Sequence, residues 1–198
     1  MSEQISFFSA DAAVPAYAHV EGLLAGPGQW ARRDNAARVS VVVDDEWRVE
    51  VLTRLFAEIG WVAEAVTAEG GLPAIRSEFR SELLPLAEAW TRGAVKHAPP
   101  GFVLDGPRLR WWAVAAGRSD PMGYVLGLGA SDEHAWAAVG AALAHAGLPA
   151  AFIGPRADGP AYRIVGARRT ARLVELLGAP PAGVPESAWP ARPVHGRG

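Results

Sequence analysis

The chain has 198 residues, half of them apolar, and a formal net charge of −2. That is enough length for one domain or two fused halves with a real core, and the near balance of charge is a poor start for neutralising many phosphates unless the cations are unevenly placed. There is no cysteine, which excludes disulfides and thiolate metal sites, Met1–Asp11 lacks the pattern of a signal peptide, and no apolar run reaches about 18 residues, so a soluble cytoplasmic protein away from membranes is the expectation.

In chain order, Ser9 or Asp11 caps a first helix that runs through Tyr17 and Val20 to Ala25 and ends at Pro27–Gly28. Gln29–Asn35 reads as a hairpin arm carrying Arg32 and Arg33, and Arg38–Val43 is a β-branched strand. Asp44 is placed to cap a helix whose apolar residues Trp47, Val51, Leu52, Leu55, Phe56 and Ile59 recur at helical spacing, with Gly60 closing it. Trp61–Thr67 and Leu72–Arg76 form a strand pair around Gly70–Gly71. Ser77 caps a helix through Leu83, Leu84, Leu86 and Trp90, which Pro85 should kink.

Lys96–Pro107, rich in proline and glycine, reads as a connector, after which the order repeats. Leu109–Gly117 is helical and Gly123–Leu128 is a strand. Ser131 caps a helix with Trp136, Val139 and Leu143 on its inner face, and Gly147 ends it. Ala150–Ile153 and Ala161–Val165 pair around Asp158–Gly159, and Ala167–Leu177 is a last helix closed by Gly178. The proline- and glycine-rich tail, Ala179–Gly198, is expected to be disordered. The halves align at an offset of about 90 residues, Asp45–Glu46 on Asp132–Glu133, Gly60 on Gly147 and Gly28 on Gly117. The expected fold is α+β: two pseudo-symmetric αββαββα repeats whose antiparallel sheets form a saddle. Residues 1–95 make the first half, 96–107 the linker, 108–178 the second half and 179–198 the tail. A chain with both halves should be a monomer.

Small residues near the ends of Val20–Gly28 and Leu109–Gly117 suit two helices crossing closely at a pseudo-twofold axis. On these residues the chain resembles the LAGLIDADG homing endonuclease fold, in which each half opens on a helix of the form G-L-x-D-A-D-G and the two sheets straddle DNA. Gly22–Gly28 occupies the motif in the first half and Trp112–Gly117 in the second. The second half, through Arg118–Tyr124 and Ser131–Glu133, resembles the WhiA-type sporulation regulators, without their separate helix-turn-helix. The resemblance implies DNA binding by Arg32, Arg33, Arg38, Arg76, Arg118 and Arg163 along the sheets, toward phosphates or guanine edges. It also implies that the acid which holds the catalytic metals is missing, since Pro27 and Ala116 stand in its place, so no metal, no cofactor and no nuclease activity are expected. The bland alternative for the arginines is ordinary exposure at sheet edges.

Other residues support no chemistry. Asp44–Glu46 and Asp132–Glu133 fit helix N-termini better than a metal site, and His19, His97, His134 and His145 show no paired ligand spacing. Gly127–Leu128–Gly129 lacks the third glycine of a dinucleotide loop. The eight tryptophans fit core positions better than a ligand box, although adjacent Trp111 and Trp112 cannot both face one partner. The expected function is a catalytically inactive protein that binds duplex DNA in a regulatory capacity. The alternatives are a repurposed scaffold for a small molecule or a protein and, last, an enzyme using Asp120, His134 or Tyr162.

Overall fold

The computed structural model describes residues 9–156 and 159–191. Among them, α1 (Glu21–Ala25), β1 (Gln29–Arg33), β2 (Ala36–Val42), α2 (Glu46–Glu58), β3 (Ala63–Thr67), β4 (Pro73–Ser77) and α3 (Leu84–Ala89) make the first half. A small hairpin, β5 (Thr91–Arg92) with β6 (Val95–Lys96), leads to the second half. That half is α4 (Gly106–Ala116), β7 (Gly117–Asp120), β8 (Gly123–Gly127), α5 (Glu133–His145), β9 (Ala151–Ile153), β10 (Ala161–Ile164) and α6 (Ala167–Leu177). The two main sheets have the same antiparallel order, β1-β2-β4-β3 and β7-β8-β10-β9, so the αββαββα repeat holds at the level of topology.

One core serves both halves. The inner residues of β2 (Ala37, Val39, Val41) and of β8 and β10 (Tyr124, Leu126, Ile164) meet the apolar faces of α2 (Val51, Leu52, Leu55, Phe56), α5 (Val139, Leu143) and α6 (Leu173, Leu177). α1 and α4 run between the two sheets' helices and are buried almost all round. Trp111 packs edge-on against Phe56 at 4.9 Å, while Trp112 points the other way and donates its indole N–H to Gly127 O at 2.7 Å. Adjacent residues on one helix thus serve two different walls of the core, as their spacing requires.

Several local expectations are corrected. The first helix is broken: Ser9 caps only a 3-10 turn at Ala10–Ala12, and a second such turn at Tyr17–Val20 precedes α1. Pro15 lies between the two turns, where the restriction it places on its neighbour interrupts a helix. Asp45, not Asp44, is the N-cap of α2, and Asp132, not Ser131, that of α5. Ser77 belongs to β4, where its hydroxyl accepts from Val39 N–H at 3.2 Å. Pro85 does not kink a long helix but stands in the first turn of α3, where its missing N–H is not needed. The turn expected at Asp158–Gly159 falls partly outside the described residues. Gly60 and Gly147 close α2 and α5 with φ of 78° and 83°, a left-handed geometry that only glycine adopts without strain.

The expected disorder of the tail is also corrected for residues 179–191, while residues 192–198 lie outside the described residues. Glu186–Ala188 forms a 3-10 turn, and Trp189 is 6% exposed. The Trp189 indole donates to Gly178 O at 3.2 Å, and its own carbonyl accepts from Ser119 Oγ. Tyr124 donates to Ala188 O at 3.0 Å. An aromatic anchor outweighs a composition that otherwise favours disorder. Trp189→Ala should therefore cost about 3 kcal/mol in urea unfolding, and a loss below about 0.5 kcal/mol would mean that this segment merely rests on the core.

Candidate nucleic-acid interface

Paired residues in an antiparallel ladder share a face. Arg38 lies opposite Ala31, and Arg33 follows on the same side of β1, so Arg33 and Arg38 share the outer face of the first sheet. Arg76 joins them through Ser40. In the second sheet Arg118 and Arg163 both lie opposite Val125, and their face is again the outer one, since Tyr124, Leu126 and Ile164 fill the core. Five of the six arginines singled out from sequence are thus on the outer sheet faces. Arg32 is the exception. It pairs with the buried Ala37 and leaves β1 on the opposite side, where it shares a recess with Trp30, Thr91 and Lys96.

Four of the outward-facing guanidiniums are stacked or paired. Those of Arg33 and Arg38 lie over the Phe79 ring, 4.2 and 4.7 Å from its centroid. Arg76 makes two bonds to Glu64 at 2.9 and 3.0 Å, and Arg163 pairs with Asp120 at 2.9 Å. Arg38 and Arg163 each keep a buried Nε–H with no acceptor among the described residues. Stacking and lateral pairing limit the rotamers of these long side chains, which lowers the entropy lost when they grip an anion.

The ends of the central helices carry the other notable arrangement. Pro27 follows α1 and Ala116 is the last residue of α4, so neither end carries a carboxylate of its own. Each end is met by a cation instead. Arg48, on α2, donates to Val114 O at 2.8 Å and Gly117 O at 2.9 Å and pairs with Asp44. Lys96 donates to Gly26 O and Gly28 O at 2.8 Å and to Asp132 Oδ2 at 2.7 Å. A positive charge is favourable at a helix C-terminus. Burial pulls the Lys96 ammonium down to about 8, against the upward pull of Asp132. Gln29 donates to both Asp132 oxygens at 3.0 Å. Asp132 therefore does more than start a helix, which its sequence position alone does not suggest. Lys96, the one lysine of the chain, is the only visible sequence signal for this cluster.

Three of the four histidines singled out from sequence, and Tyr162, meet backbone atoms. His19 accepts from Ala16 N–H, and burial lowers its pKa; His97 and His145 each meet a nearby carbonyl. Tyr162 donates to Trp136 O at 2.7 Å, and Gly127 and Gly129 offer their carbonyls to the indoles of Trp112 and Trp136. Among the described residues no three His, Asp or Glu side chains converge as a metal-holding group, and no helix is long and apolar enough to cross a membrane.

No family model matches the chain, and neither does any curated protein. Among solved structures, the homing endonuclease I-WcaI bound to its DNA recognition sequence is similar, with a TM-score of 0.56 and 12% identity over 86% of this chain and 84% of that one. The chain has a homing endonuclease-like fold. α1 and α4 pack against each other, and each half carries one of the two four-stranded sheets. At this identity the likeness concerns fold alone.

Proposed function

We propose that this chain is a catalytically silent member of the homing endonuclease-like fold that binds duplex DNA across the outer faces of its two sheets, as a monomer and in a regulatory role. The observation that carries the reading is the distribution of charge. In a chain of net charge −2, Arg33, Arg38, Arg76, Arg118 and Arg163 come to the outer faces of the two sheets. The similar homing endonuclease structure is described as bound to its DNA recognition sequence, which is consistent with a DNA partner here. Silence is supported by Pro27 and Ala116 at the helix ends and by the Arg48 and Lys96 side chains seated there. Phosphate contacts would supply affinity, and the Phe79-stacked pair Arg33 and Arg38 suits a guanine edge or two adjacent phosphates.

Fluorescence anisotropy with a random-sequence duplex tests this, at low and near-physiological salt, with and without Mg²⁺. Contacts to about four or five phosphates give a log–log salt slope near −4, and Arg38→Ala or Arg163→Ala should each reduce it by about 1. An intact duplex throughout is expected, and cleavage would overturn the silent assignment. Absence of binding even at low salt would overturn the DNA reading. It would favour a small-molecule or protein partner, for which the cleft of about 660 Å³ beside Arg168, Arg169 and Arg172 at the start of α6 is the specific place to look.

A further inference from the structure

We propose, resting on the DNA-binding reading above, that only the first sheet reads base sequence, through the row Arg38, Ser40 and Val42. The target is then an asymmetric half-site, although the fold is a repeat. β2 and β8 hold the same place in the two sheets, each second in its antiparallel order. Burial alternates along β2, with Ala37, Val39 and Val41 in the core. Arg38, Ser40 and Val42 therefore face outward, and Val42 is 44% exposed. On β8 the outward positions are Gly123, Val125 and Gly127. Two of these have no side chain, and Val125 is fully buried, with Arg118 and Arg163 opposite it on the flanking strands. The next strands match: Arg76 of β4 is tied to Glu64, and Arg163 of β10 to Asp120. The halves thus differ most at the strand that would lie deepest in a groove.

The β2 row supplies three kinds of base contact. A guanidinium meets O6 and N7 of guanine, a hydroxyl donates or accepts, and valine methyls meet the C5-methyl of thymine. The Phe79 ring under Arg38 fixes the plane of that fork. Alternate residues of a strand stand about 6.6–6.8 Å apart and base pairs rise about 3.4 Å, so a strand laid along the major groove advances about two base pairs per outward residue. Arg38 and Val42 are then about four base pairs apart. Glycines and a covered valine reach no base edge, so the second sheet grips phosphates through Arg118 and Arg163 and leaves sequence unread.

Selection of bound duplexes from a random-sequence library by the full chain, followed by sequencing, tests this. The expected motif spans about five base pairs, has a G·C and an A·T pair about four positions apart, and has no inverted copy. Arg38→Ala should lower the preference at the G·C position about tenfold, and Val42→Ala should flatten the A·T position alone. Arg163→Ala should weaken all sequences alike and leave the motif intact. On random duplex the Arg38 charge counts among the phosphate contacts, and on a selected site its fork turns to guanine. A motif with two mirrored halves overturns the one-sided assignment, as does one that changes in Arg163→Ala but not in Arg38→Ala. A library that binds without any enriched sequence also overturns it and leaves DNA binding standing. A library that is not retained even at low salt overturns the DNA-binding reading itself.

Discussion

Replacing Gly22 by alanine is expected to destabilise the protein by at least about 3 kcal/mol, the upper end of the cost of overpacking a core. A Cβ on Gly22 would stand 1.9 Å from Arg108 O, 2.7 Å from its carbonyl carbon and 3.0 Å from Trp111 Cβ. The obstacle is backbone, so no rotamer change relieves it. α4 cannot step aside either: Trp111 is held against Phe56, Trp112 is fully buried with its indole bonded to Gly127 O, and Arg110 reaches the carbonyls of Leu177 and Ala179. Gly26 is nearly as confined, since its Cβ would meet the Trp112 ring at 2.5 Å. The melting temperature of Gly22→Ala should fall by about 6–12 °C. Gly60→Ala is the control. There φ is 78° and nothing lies within 4 Å of the added carbon, so only left-handed backbone strain of about 1 kcal/mol is at stake. Equal losses for the two variants would show that close approach of α1 and α4 is not what Gly22 provides.

That close approach is legible in the sequence, because small residues at the ends of two apolar helices leave few other arrangements. The repeat is legible too. Acid–helix–glycine punctuation at Asp45 to Gly60 and at Asp132 to Gly147 marks where each sheet is interrupted by a helix. Local strength of pattern decides the rest. Ala167–Leu177 is readable to the residue, since its apolar side chains recur strictly at helical spacing. The Ser77 helix is not, because a Ser before Glu looks like a cap whether or not the strand has ended, and only the ladder to Val39 decides it. Alternation within a strand tells which residues share a face, but Arg32 and Arg33 are neighbours, and which one faces outward depends on the register set by Ala36–Val42. Nothing local predicts that Lys96 would reach Gly26, Gly28 and Asp132, or that Arg48 would cross to α4. Such contacts span 36 to 70 residues and exist only once the halves have packed. The anchoring role of Trp189 is hidden for the same reason, as its partners Gly178 and Ser119 are assembled by the fold.

Glu21→Ala is expected to cost about 3–5 kcal/mol, the range for breaking a buried ion pair from one side. Glu21 is 7% exposed on α1. Its Oε2 accepts from Arg108 Nε and Nη2 of α4 at 2.8 and 2.7 Å, and its Oε1 accepts from the Trp90 indole at 2.9 Å. One carboxylate thus joins both central helices to the end of α3. Removing it leaves the indole of a fully buried tryptophan without an acceptor and the guanidinium with Asp105 alone. Glu21→Gln keeps an acceptor for Trp90 and loses the charge, so it should cost about half as much. Glu21→Leu with Arg108→Met removes both charges while retaining apolar bulk, and it should be milder than Glu21→Ala alone, because neither ion is then left unpaired. Chemical denaturation of Glu21→Leu, Arg108→Met and the double variant, closed as a thermodynamic cycle, should give a coupling of about 1–3 kcal/mol. A coupling near zero would mean that Glu21 serves Trp90 only. The direct contact between α1 and α4 would then rest on packing at Gly22 and Gly26, which Gly22→Ala tests separately.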